Sequence, residues 1–141
     1  MATKIIVDEP YVLVTADEQV PCIVVEVRAF ANRDQFKDFM NAGLAYFKTH
    51  HRPTRPWGWV ADTRNMSAIP AEVQRWLAEE WNVQAFDAGL REMSIVTSHN
   101  VMGQVATQQY AQKAVLDPVY YNTLEEAKQG AARRAAFNAH A

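Results

Sequence analysis

Asp62, Thr63 and Arg64 stand together at the end of one apolar run, Ser67 follows them, and Ser98 and His99 close a second apolar run. Side by side, these residues would present an acid, a cation, hydroxyls and an imidazole, a set suited to holding an anion or a polar partner surface. Each also has a local explanation, because Ser, Thr, Asp and Asn terminate strands and cap helices. Ser98 and His99 suggest a nucleophile and its base, yet adjacent residues rarely point at each other and no Gly-x-Ser-x-Gly elbow surrounds Ser98. General acid or base work by Asp62 or His99 would need a positioned partner that the sequence does not name. The chain is therefore expected not to be an enzyme.

Other chemistry-bearing residues read more plainly. His50 and His51 precede Arg52 and Arg55, no further metal ligands sit at compatible spacing, and a solvated helix end with a small anion patch of Lys48, Arg52 and Arg55 is expected. No metal and no cofactor are expected. Cys22 lies at a strand start without an activating motif and reads as a small apolar residue. Glu79, Glu80 and Asp87 fit a solvated helix face. Trp57 and Trp59 share a strand face, while Trp76 and Trp81 lie on a helix; the four form either core, an aromatic pocket or a partner-binding interface.

The elements that must position these residues follow from periodicity. Ile5 to Val7, Tyr11 to Thr15 and Cys22 to Phe30 are β-branched runs joined by Pro10 and by the turn from Ala16 to Pro21. From Asn32 the period changes: Phe36, Phe39, Met40, Gly43, Leu44 and Phe47 recur at helical steps, with Asn32 as N-cap and an end before Pro53. Trp57 to Ala61 is a strand, and a helix from Pro70 to Gly89 carries Val73, Trp76, Leu77 and Trp81. Met93 to Thr97 is the next strand. A helix capped by Ser98 or Asn100 bears Val101 to Val115, Val119 to Tyr121 is the last strand, and Thr123 caps a final helix whose Ala-rich end frays. The class predicted is α/β, a single domain over residues 1–141, with N-terminal antiparallel strands, then three βαβ crossovers in a mixed sheet. Ligands of such sheets sit beyond the carboxyl ends of the parallel strands, which places the expected site at Asp62 to Asn65, Thr97 to Asn100 and Asn122.

Composition narrows the partners. The chain has 141 residues, 49% of them hydrophobic, and a formal net charge of −2. That length builds a core without staples, and the charge argues against a nucleic-acid partner. A single cysteine excludes an internal disulfide. Lys4, Asp8 and Glu9 interrupt the first ten residues, no apolar run reaches bilayer length, and the cytoplasm is the expected compartment.

The stretch Val60-Ala-Asp-Thr-Arg-Asn-Met66, the Trp-bearing helix after Pro70, the run Gly89-Leu-Arg-Glu-Met-Ser-Ile-Val96 and the closing Tyr120-Tyr-Asn-Thr-Leu-Glu-Glu-Ala127 resemble the STAS superfamily, the sulphate-transporter and anti-sigma-factor-antagonist domains. They look like its stand-alone, SpoIIAA-like bacterial branch, often grouped with CRAL-TRIO lipid carriers. The resemblance covers the C-terminal two thirds of the chain. It implies a mixed sheet with helices mainly on one face and a role in protein association, signalling or small-ligand sensing. Members switched by phosphorylation carry an Asp-Ser pair where Pro70 and Ala71 stand here, so the usual phospho-accepting hydroxyl is missing, with Ser67 and Thr63 as nearby substitutes.

Two functions follow as expectations. The first is a non-catalytic interaction module that self-associates as a homodimer or binds a protein, with Asp62, Thr63, Arg64, Ser67, Ser98 and His99 as the contact rim. The second is a carrier or sensor holding a lipid or anionic metabolite between the sheet and its helices. In it Arg64 pairs with the anion, and Trp59, Trp76, Trp81 and Phe39 wall the pocket.

Overall fold

The computed structural model describes residues 3–66, 69–97 and 116–139 of the chain. Strands β1 (Thr3–Glu9), β2 (Val12–Asp17) and β3 (Cys22–Val27) pair antiparallel, and β4 (Gly58–Asp62), β5 (Glu92–Val96) and β6 (Asp117–Tyr121) extend the sheet in parallel. The six strands lie in chain order across one sheet. This is the mixed α/β sheet that the sequence predicts. Pro118 falls within β6, an edge strand, where a missing N–H is tolerated.

Helix α1 (Arg33–His50) is opened by a reciprocal cap: the Asn32 side chain accepts the Gln35 N–H at 2.9 Å, and the Gln35 side chain accepts the Asn32 N–H at 3.0 Å. It buries Phe36, Phe39, Met40, Gly43, Leu44 and Phe47 against the sheet. Gly43 is needed there because a Cβ would lie 2.7 Å from the Trp59 ring.

The second helical stretch is continuous but changes gauge, running as α2 (Ala71–Trp76), a π-helical segment (Leu77–Trp81) and α3 (Asn82–Asp87). Val73, Leu77, Trp81 and Ala85 are all buried, four residues apart. In a regular α-helix of 3.6 residues per turn that spacing drifts by roughly 40° per step, and the wide π turn takes out most of the drift. The stripe therefore stays on the sheet, while Trp76 is left half-buried with the Lys37 ammonium 5.6 Å from its ring centre.

These helices and one sheet face enclose the main core. Trp57, Trp59 and Trp81 are fully buried in it, the core placement among the alternatives open from sequence, and large aromatic area is worth most out of water. The opposite sheet face carries α4 (Leu124–Ala139), whose Ala127 and Ala131 pack on Cys22, Val24, Val60 and Val96. Ala131, where the Ala-rich stretch begins, is thus part of a second, smaller core. The helix expected over Ser98 to Val115 lies outside the described residues. No helix among the described residues is long and apolar enough to cross a membrane.

Candidate functional site

At the carboxyl ends of the parallel strands the structure places Asp62, Thr63 and Arg64 together; Ser67, Ser98 and His99 lie outside the described residues. Asp62 is 2% exposed and receives a two-pronged grip from Arg64, Nε to Oδ1 at 2.9 Å and Nη2 to Oδ2 at 2.6 Å. That hydrogen-bonded carboxylate raises the pKa of Arg64 further. The Thr63 hydroxyl donates to the Val96 carbonyl at 2.6 Å, and the Thr63 N–H reaches the same oxygen at 3.1 Å. Acid, cation and hydroxyl here are spent on each other and on the ends of β4 and β5. The guanidinium expected to take an anion already holds one.

Between the sheet and the helices, where a carrier would hold its ligand, Trp59, Met40, Met66, Leu77 and Met93 line a gap of only about 40 Å³. A gap of that size is close-packed interior rather than a ligand chamber.

The larger opening, about 190 Å³, lies at the other end of the sheet, beside the amino ends of β4 and β5. It is lined by Gly58 and Ser94 of the strands, by Ala131, Arg134 and Ala135 of α4, by the buried Trp57 and Leu90, and by His51, Gly89, Arg91 and Glu92. Gly58 lets α4 approach: a Cβ there would meet the Ala131 carbonyl oxygen at 2.8 Å.

His51 caps the end of α1, its N–H bonded to the Phe47 carbonyl at 2.8 Å and its ring stacked on the Phe47 ring at 4.7 Å. Its Nδ1 accepts the Trp57 N–H at 2.9 Å, which puts the ring proton on Nε2. Burial lowers its pKa below 6.5, with Arg52 and Arg91 adding to the effect, so the ring is uncharged at neutral pH. Gly89, at φ +116°, gives Nε2 room, since a Cβ there would stand 2.5 Å away.

Arg91 is fixed by its Nη1, which donates to the Phe86 and Leu90 carbonyls at 2.6 and 3.1 Å, and by its stacking 3.8 Å over the Phe86 ring. Its Nε and Nη2 make no hydrogen bond among the described residues. Arg134, in contrast, gives both Nε and Nη2 to the Glu92 carboxylate.

The sequence alone gives no binding role to Arg91, Glu92 or Arg134 and reads His51 as part of a solvated helix end. Two signals pointed here: a glycine between two tryptophans at Gly58, and an Ala-rich helix able to lie close on it. Among the described residues no group of three His, Cys, Asp or Glu side chains is placed to hold a metal ion. Cys22 is buried, which pushes its thiol up to about 12, away from nucleophilic use. No family model, curated protein or solved structure matches the chain.

Proposed function

We propose that the protein is a non-catalytic binding domain, a carrier or sensor that takes a small molecule into the basal cavity beneath α4. The observation that carries this reading is a cavity of about 190 Å³ bordered by Arg91 and His51, whose Arg91 Nε and Nη2 and His51 Nε2 have no protein acceptor among the described residues. Arg91 is exposed and His51 half-buried, so water meets these donors in the open site, and a ligand that supplies an acceptor takes the place of that water.

Binding is favoured over catalysis by the His51 tautomer. A general base needs an unprotonated nitrogen facing the substrate, and here the Trp57 N–H occupies Nδ1 while Nε2 carries the proton. Holding a lipid chain between sheet and helices is disfavoured by the small gap there. The STAS resemblance supports a sensing or association role, and the burial of Trp57, Trp59 and Trp81 leaves these three out of any exposed aromatic contact surface.

The test is a fragment screen by ligand-observed NMR on the wild type and on Ala135→Leu, which fills the cavity from α4 without altering charge. Binders lost in the variant are expected. A screen without binders, or with binders indifferent to Ala135→Leu, contradicts the reading.

A further inference from the structure

Three features of the cavity wall narrow the class of ligand, given that the cavity is a ligand site at all. The first is charge. Arg91 and Arg134 bring two cations, Glu92 cancels one of them through its fork with Arg134, and His51 is uncharged at neutral pH. Among the lining residues one positive charge remains, on Arg91, which makes no ion pair with an acid among the described residues, and Arg52, outside the lining, adds a further positive field at His51. A single negative charge on the ligand balances it, and an ammonium would be repelled.

The second feature is donor geometry. The Nη1 bonds of Arg91 to Phe86 and Leu90 hold the guanidinium plane, leaving Nε and Nη2 as the pair of parallel donors that fits a carboxylate side-on. The Nε2–H of His51 adds a neutral donor at the same rim.

The third is size and lining. At about 190 Å³ the cavity exceeds the roughly 150 Å³ that accommodates benzene in an engineered apolar cavity. Trp57, Leu90 and Ala135 supply its apolar walls.

We propose that the cavity takes a small monocarboxylate with a compact apolar body, its carboxylate on Arg91 and the His51 Nε2–H and its body against Trp57, Leu90 and Ala135. Recognition is by one charge and one ring-sized body, so inorganic anions alone are poor ligands and neutral isosteres lose the charge pairing and the second acceptor oxygen.

Calorimetric titration of the wild type with benzoate, benzamide and inorganic phosphate tests this. Benzoate is expected to bind at least tenfold more tightly than either of the others. In Arg91→Gln that advantage disappears while benzamide binds as before, and in Arg91→Lys, which keeps the charge without the fork, it shrinks. The comparison of benzoate with benzamide is made on the wild type and survives even if the Arg91 variants do not fold. Equal binding of benzamide, or tighter binding of phosphate, would overturn the carboxylate assignment and leave the cavity a ligand site of another class. Absence of binding by benzoate overturns the carboxylate assignment too, and if the fragment screen is also empty the binding reading falls with it.

Discussion

The Nδ1 of His51 accepts the backbone N–H of Trp57 at 2.9 Å, tying the end of α1 to the start of β4 across the proline-bounded loop. Trp57 N–H is a donor only, so a doubly protonated His51 would lose this bond. The His51 pKa is lowered from 6.5, first by burial and then by Arg52 and Arg91. As pH falls below 6.5 the unfolded chain takes the proton first, so this part of the stability is present above 6.5 and is lost as pH drops through the folded value. His51→Asn is expected to be about 1–2 kcal/mol less stable than the wild type at pH 7.5. In urea melts the gap should narrow as the pH is lowered below 6.5; a gap that widens would contradict the tautomer assignment.

Gly89 faces the same imidazole from the other side. Its φ of +116° strains any side chain, and a Cβ would stand 2.5 Å from His51 Nε2. Gly89→Ala is expected to cost about 1–3 kcal/mol and to displace the ring. The check is a thermal melt together with the His51 ring shifts by NMR, which should move toward those of an exposed histidine.

Asp17 and Lys128 join β2 to α4, Nζ to Oδ2 at 2.6 Å. Burial works to raise the Asp17 pKa, but Lys128 and the Gln19 and Val20 N–H groups outweigh it, and the net shift is downward from 3.8. The stability so gained is present above 3.8 and is lost as pH falls through the folded value. Asp17→Asn is expected to be about 1–3 kcal/mol less stable at pH 7. Its denaturation curve should converge on that of the wild type at pH values under 3.8.

Arg64 grips the Asp62 carboxylate with both Nε and Nη2. Arg64→Ala leaves the 2%-exposed carboxylate with only the Arg64 N–H at 3.2 Å. The Arg64 side chain is itself 34% exposed, so solvent screens part of the effect and the expected loss is about 1–2 kcal/mol. Benzoate affinity should not change. A variant of normal stability that no longer binds would return the site to the strand ends.

The fold was legible where one physical signal dominated. Asn32 announces a helix start, the β-branched run from Cys22 announces a strand, which the structure ends at Val27 rather than Phe30, and Pro70 marks the second helix. The π-helical segment was not legible, because the four-residue stripe of Val73, Leu77, Trp81 and Ala85 fits an α-helix by composition and only packing shows the change of gauge. The strand-end position of Asp62, Thr63 and Arg64 is legible in the sequence, whereas the return of Arg64 onto Asp62 two residues away depends on side-chain geometry that sequence does not carry. The basal cavity was missed because it arises from long-range packing. His51, Gly58, Arg91 and Arg134 come from four separate elements or connections, brought together by the close seat of α4 on Gly58.

The most direct measurement is a ¹⁵N-resolved NMR titration of the wild type with benzoate. The amide of Trp57, whose N–H is bonded to His51, should shift together with those of Gly89, Leu90 and Arg91, while Asp62 to Arg64 stay in place. Shifts confined to Asp62 to Arg64, or none at all at millimolar benzoate, would contradict a ligand site beneath α4.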